Sequence, residues 1–201
     1  QEKMLKEFET IGFYISDHPL NQYKSIFDQY NIVSYDNFQN DENLLSSNIA
    51  CTVLKTQEKK TQKGTSYAII KFSDLNSVFE LFVFSDIFEL NRENIKEGKS
   101  VILTIYKNSN DADQRIRINV KKIIPLDDIL NKPINNIMIK INNLKELDRL
   151  SKILEAKGNV EVMFEVNEND KKYTFKLKNK RFVDRNVLNS IKNQGILASI
   201  F

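Results

Sequence analysis

The sequence predicts a mixed β and α+β chain: a helical leader, a five-stranded barrel, then a small α+β domain at the C-terminal end. Three observations predict this order. Up to about residue 30 the apolar residues recur at helical spacing. Between residues 48 and 124 the period shortens to two, in five short β-rich runs. Beyond residue 137, strand and helix patterns alternate. The predicted boundaries are 1–47, 48–125 and 126–201.

Within the leader, Met4, Leu5 and Phe8 mark a helix over 3–9 that Gly12 can end. Ser16 or Asp17 is placed to cap the next helix, with Pro19 in its first turn, where a missing N–H costs nothing. Leu20, Tyr23, Ile26, Phe27 and Tyr30 give that helix one apolar face. His18, the single histidine of the chain, therefore stands at a helix start between two apolar surfaces. With no positioned Ser, Cys or metal partner it reads as a joint rather than a catalyst.

The β-rich runs are NIACTVLKT, SYAIIKF, VFELFVF, SVILTIY and RIRINVKKI. QEKKTQKGT is a basic turn after the first, and Asp74-Leu75-Asn76-Ser77 a tight hairpin after the second. A helical stretch, SDIFELNRENIKEGK, follows the third and ends at Gly98. Three strands, a helix and two strands make the order of a five-stranded OB barrel. Alternation puts Ala68, Ile70, Phe72, Phe79, Leu81 and Val83 inside, and Tyr67, Ile69, Lys71, Glu80 and Phe82 outside.

The terminal domain reads as a strand (NIMIKI), a helix with Leu144, Leu147, Leu150, Ile153 and Leu154 on one face and Gly158 at its end, and a hairpin around 168–170. A short helix capped by Asp184 and a last strand, ILASIF, complete it. Pro125 and Pro133 bracket LDDILNK, a linker or short connecting helix.

Charge is uneven. Residues 1–47 hold 3 Lys/Arg against 8 Asp/Glu, while 48–125 hold 13 against 9 and 126–201 hold 14 against 10. An acidic leader thus precedes two mildly basic parts. Asn, Ile and Lys number 24 each, a bias of A/T-rich codons that discounts some of the lysines as functional signal. The lone Cys51 excludes an internal disulfide framework and a cysteine zinc site, and in NIACTVL it reads as a buried small hydrophobe in a reducing, cytoplasmic compartment. No apolar run is long enough to span a membrane. The opening QEKMLKEFE lacks both an initiator Met and a signal-like segment, so the chain is expected to be a piece of a longer polypeptide.

EFETIGFYISDHPLNQY resembles the E-x-x-x-G-F-Y-L-S-G-H-P-L signature of the alpha subunit of bacterial DNA polymerase III, the family C replicative polymerase. Some 40 residues later, KTQKGTSYAIIKFSDLNSVFELFVFSDIFE is similar to that family's OB segment, and KLKNKRFVDRNVLNSIK to its C-terminal domain. Asp17, Ser77 and Ser85 depart from the pattern, replacing a Gly, a Gly and a Pro. The resemblance implies a non-catalytic C-terminal region, with the polymerase palm and its metal-binding aspartates upstream. Its parts would be a helical neck, an OB domain that binds single-stranded DNA, and a terminal domain that binds the tau subunit of the clamp loader.

OB barrels bind unpaired strands on strands 2 and 3, through cations along phosphates and rings under bases. The candidate nucleic-acid-binding residues are therefore Tyr67, Lys71 and Phe82, flanked by Lys59, Lys60 and Lys63 in the first loop, with Arg115 and Arg117 on strand 5. Ile69 occupies the central position where the family commonly has Phe, and Asp111 and Asp113 in the 4–5 loop repel phosphate. The expected binding is weak, salt-sensitive and sequence-tolerant. Alternatively Phe82 packs under the barrel helix and the face is scaffold. The basic run Lys171, Lys172, Lys176, Lys178, Lys180 and Arg181 reads first as the hydrophilic side of a hairpin. Gln194, Leu197, Ile200 and Phe201 loosely resemble sliding-clamp peptides, the alternative being an ordinary edge strand. No catalytic, metal or cofactor site is read from the sequence.

Two other function classes are open. The OB motif also resembles the anticodon-binding barrel of class II aminoacyl-tRNA synthetases, an RNA-binding module. Those continue into a catalytic domain, whereas this chain continues into a small α+β domain. A metal-dependent nuclease is the third class. Asp127 and Asp128, an adjacent carboxylate pair, read instead as a helix cap.

Overall fold

The computed structural model describes residues 17–109, 116–142, 144–168 and 171–201. The chain divides into two compact units after Asn131. The predicted helix over 3–9 and its Gly12 stop lie outside the described residues.

The described part of the first unit opens with a 3₁₀ turn, Pro19–Tyr23, running into a single helical turn, Lys24–Phe27 (α1). The His18 ring, rather than Asp17, is the cap: its Nδ1 accepts the Leu20 N–H at 3.1 Å. The helix expected through Tyr30 stops short. Asn31 adopts φ 49°, and the Ile32 N–H closes on the Phe27 carbonyl at 3.0 Å, a Schellman-type ending. A second short helix, Tyr35–Asn40 (α2), is capped by Ser34 Oγ.

Five strands follow: Ser46–Lys60 (β1), Ser66–Ser73 (β2), Val78–Val83 (β3), Ser100–Ser109 (β4) and Ile116–Pro125 (β5). They pair in the order β3-β2-β1-β4-β5, all antiparallel, and the two outer strands β3 and β5 lie against each other. Helix Ser85–Asn91 (α3) joins β3 to β4 and buries Phe88 in the interior. It is shorter than expected, and irregular turns carry the chain on to Gly98 at φ 83°. The predicted inward positions of β2 and β3 are all buried, and Cys51 is fully buried among them.

β1 departs from simple alternation, because Ala50 is buried as completely as Ile49 and Cys51. Its outer face there, with the paired Ile102, is covered by Leu20, Tyr23 and Ile26 of the leader. Leu126 and Ile129 of the helix Leu126–Asn131 (α4) complete this second core. The segment read as a linker or short connecting helix is thus a helix packed on this sheet, and the Tyr23 hydroxyl donates to Asp127. Asp127 therefore serves a leader contact.

In the second unit, strands Asn136–Ile141 (β6), Lys157–Glu168 (β7), Lys171–Lys176 (β8) and Leu197–Ile200 (β9) form one sheet, ordered β8-β7-β6-β9. β6 and β7 run parallel, joined by the helix Leu144–Ile153 (α5), and the other pairs are antiparallel. Leu150 and Leu154 pack on one face with Leu188 and Ile191 of the helix Arg185–Asn193 (α6). Asp184 Oδ1 caps that helix, accepting the Val187 N–H at 2.7 Å. Gly158 does not end α5. It lies in β7, where a Cβ would come within 2.5 Å of the Phe182 backbone, so a side chain is excluded by the close approach of another strand segment.

Candidate nucleic-acid interface

The open face of the five-stranded sheet is built by the ladder of β1, β2 and β3. A register shift between Val53 and Lys55 turns the second half of β1 so that Lys55, Gln57 and Lys59 stand opposite Lys71, Ile69 and Tyr67. On the other side of β2, Lys71 pairs with Glu80 and Ile69 with Phe82. Three cross-strand rows result: Lys55–Lys71–Glu80, Gln57–Ile69–Phe82, and Lys59–Tyr67. The leader covers the outer face of the first half of β1, and this face opens where that cover stops.

Tyr67 and Phe82 meet on the diagonal between rows. Their ring centroids are 6.4 Å apart with planes 19° off parallel. Phe82 is 52% exposed, so it does not pack beneath α3, whose buried aromatic residue is Phe88. Lys55, Lys59, Lys63 and Lys71 take part in none of the ion pairs found among the described residues.

The sequence reading placed Lys59 and Lys60 in the first loop. They lie instead on β1, which runs longer than NIACTVLKT, and being adjacent they point to opposite pleats. Lys59 faces Tyr67, whereas Lys60 pairs with Ser66 on the other side. Lys63 stands in the exposed turn that Gly64 permits at φ 83°. Arg117 is exposed on β5, opposite Asn108, and Arg115 lies outside the described residues, as do Asp111 and Asp113. Lys55 and Gln57 escaped the sequence reading, although their alternation with Lys59 was the available signal.

The pleat opposite Lys59 is structural. Glu58 accepts two hydrogen bonds from Arg92 at 2.8 Å each, and Glu89 two more from the same guanidinium, which lies 4.4 Å over the Phe88 ring. The hydrogen bonds from Arg92 hold the Glu58 carboxyl down at about 2.

The β2–β3 hairpin is tied to the leader through Asp74, which is 4% exposed. Its Oδ1 accepts the Asn76 and Ser77 N–H groups at 2.8 and 2.7 Å, and its Oδ2 accepts the Tyr35 N–H at 2.7 Å. The Tyr35 ring stacks on Phe79 at 3.9 Å. His18 Nε2 lies 3.1 Å from Ser73 Oγ, which donates to the Asp74 carbonyl, so Nε2 is the donor; with Nδ1 accepting the Leu20 N–H, this geometry is that of the neutral ring. Burial lowers its pKa, against the pull of Asp74 and Asp17. Between leader and hairpin, Phe27, Ile32 and Leu75 help line a cavity of about 120 Å³. That is well below the roughly 300 Å³ at which small-molecule sites begin. Among the described residues, no three His, Cys, Asp or Glu side chains are grouped to hold a metal ion, and no helix is long and apolar enough to cross a membrane.

Half of the basic run of the second unit is paired among the described residues, at Lys172, Lys176 and Lys180. Lys172 and Lys140 reach Glu165 at 2.7 and 3.5 Å, and Lys176 and Lys180 reach Glu161 at 2.7 and 4.0 Å. Both carboxyls are held below the usual range by these lysines. The four clamp-like residues do not share one surface. Ile200 packs on the core, Leu197 points to the opposite face of the sheet, and Gln194 ends α6.

No family model matches the chain. Three curated proteins, each a DNA polymerase III subunit alpha, are similar to it. That of Borreliella burgdorferi is 28% identical over 183 residues, 85% of this chain and 16% of that protein. That of Buchnera aphidicola is 25% identical over 190 residues, 91% of this chain and 16% of that protein. That of Halalkalibacterium halodurans is 27% identical over 154 residues, 76% of this chain and 13% of that protein. The chain therefore spans about a sixth or less of the length of these relatives. A chain from the structure of a replication protein A heterotrimer bound to ssDNA aligns with 71% of this one at 12% identity, a TM-score of 0.36, and 37% of its own length.

Proposed function

We propose that this chain is a non-catalytic region of a replicative DNA polymerase alpha subunit, whose barrel holds single-stranded DNA on the β1–β2–β3 face. The observation that carries the reading is the Tyr67–Phe82 ring pair, Phe82 exposed and Tyr67 half-buried, bordered by lysines in no ion pair among the described residues. Rings offer a stacking surface to any base, and unpaired cations can replace the counterions of phosphates. The paired lysines of the second unit lack that freedom. Lys59, Lys71 and Lys63 would follow the backbone, with Arg117 contributing from β5 and Arg115, outside the described residues, proposed from the sequence to join it. Ile69 supplies no ring at the centre of the face, so affinity is modest.

The second unit, by likeness to the alpha subunits, docks on replisome proteins of the cytoplasm, foremost the tau subunit of the clamp loader. A sliding-clamp contact through Gln194, Leu197, Ile200 and Phe201 would require β9 to leave the sheet, because Ile200 is packed while β9 is paired.

The test is titration of fluorescent oligothymidylate with the chain at several salt concentrations, for wild type and the double variant Tyr67→Ala/Lys71→Ala. Binding should weaken steeply with salt, and the double variant should lose about tenfold or more. Equal binding by wild type and double variant removes the proposed face, and preference for tRNA over oligothymidylate replaces DNA with RNA. Retention on immobilised tau tests the second unit separately.

A further inference from the structure

We propose that Phe84 is a further base-stacking residue, adding a third ring to the face of Tyr67 and Phe82; this rests on the single-strand-binding reading above. The alternation of β3 continues one residue past its last ladder pair. Phe79, Leu81 and Val83 are buried, Glu80 and Phe82 are exposed, and Phe84 is 56% exposed. Its backbone stays extended, at φ −68° and ψ 161°, so its side chain leaves on the same side as that of Phe82, about 6.7 Å further along. Ala68 pairs with Val83, which brings Tyr67 level with Phe84 and makes Lys59–Tyr67–Phe84 the third cross-strand row.

The position is held firmly. The Phe84 carbonyl accepts the Phe88 N–H at 2.8 Å, the first bond of α3, and Val83 anchors the preceding residue in the core. Among the described residues the Phe84 ring makes no ring or cation contact. An exposed, unpartnered phenyl on a fixed backbone, beside a tyrosine and in line with Lys59, fits an unpaired base whose phosphate lies over the lysine. Glu80, at the other end of the same strand, is set against Lys71, so the end at Phe84 is the one that carries a ring with no carboxylate in its row.

The chain contains no tryptophan, so Phe84→Trp creates a single reporter at the position itself. The expected result is saturable quenching of that tryptophan by oligothymidylate at near-wild-type affinity, together with a loss of about fivefold or more in Phe84→Ala. Leu90→Ala, which removes an 80% exposed side chain from α3, should bind as wild type. A silent tryptophan, or undiminished binding by Phe84→Ala, overturns the proposal. If Tyr67→Ala/Lys71→Ala is still impaired in that case, the single-strand reading survives without Phe84. If the wild-type chain itself binds no oligothymidylate, both fall.

Discussion

Replacing Asp74 should unlock the barrel from its leader. Its carboxylate is nearly inaccessible to water and accepts three backbone N–H groups from two directions. The Tyr35 bond is the irreplaceable one, being buried and formed across the gap between leader and hairpin. A hydrogen bond to a charged group is worth about 1.5–3 kcal/mol net, and an abandoned buried donor costs in the same range. The Asn76 and Ser77 donors are partly solvent-reachable, so water recovers much of their loss. Asp74→Ala should therefore destabilise the first unit by about 3 kcal/mol. Asp74→Asn, which keeps one carbonyl oxygen but turns an amide NH₂ toward a donor, should cost about 2 kcal/mol. With a urea dependence of about 1–3 kcal/mol per molar, the midpoint for Asp74→Ala should fall by roughly 1–3 M. The chain has two units, so hydrogen exchange followed in 33–38 and 78–83 isolates the relevant transition. Protection of the Tyr35 amide should drop most. Asp74→Ala within about 0.3 M of wild type, with Tyr35 still protected, would refute the reasoning.

Further outcomes follow from other contacts. Ile26→Ala, at a fully buried leader position against the outer face of β1, should destabilise the first unit by about 2–5 kcal/mol; a leader that merely tethers would show almost no change in its urea midpoint. Glu58 titrates near 2 when folded and near 4.5 when unfolded, so the stability that it contributes is complete above 4.5 and drains away as the pH falls toward 2. Acid unfolding of Glu58→Gln should accordingly be the shallower, as followed by circular dichroism between about pH 5 and 2. Gly158→Ala should destabilise the second unit by about 1–3 kcal/mol through contact with the Phe182 backbone, while exchange protection in the barrel stays unchanged.

The five strands of the first sheet and the hairpin at Asp74 were readable because period-two alternation survives wherever one face meets a core and the other meets water. It fails in the first half of β1. There Ala50 and Ile102 are buried by the leader and α4, a contact between segments far apart in sequence that no local window contains. The same long-range packing explains why 126–132 could be read as a linker as readily as the short helix it forms: its two apolar anchors, Leu126 and Ile129, share a core with Ala50 and the leader, over 70 residues away. The candidate face was largely legible, since Tyr67 and Phe82 fall at outward positions. Lys60 was not, because assigning it to a loop hid the alternation that turns it away from Lys59. Gly158 resembled a helix stop, and only the approach of 181–182 reveals that it makes room for another backbone.

Strand β8 has every residue exposed and stands at one margin of its sheet, with Lys171, Lys172 and Lys176 along it. An unsatisfied backbone ribbon invites other polypeptides to zip on, and closely set positive charges keep such visitors off. The opposite margin, β9, is just four residues long and offers little to zip onto. Lys172 and Lys176 also bridge to Glu165 and Glu161, and charge along an open edge opposes fibrous self-association, so neutralising the three lysines should first show as turbidity in concentrated solution.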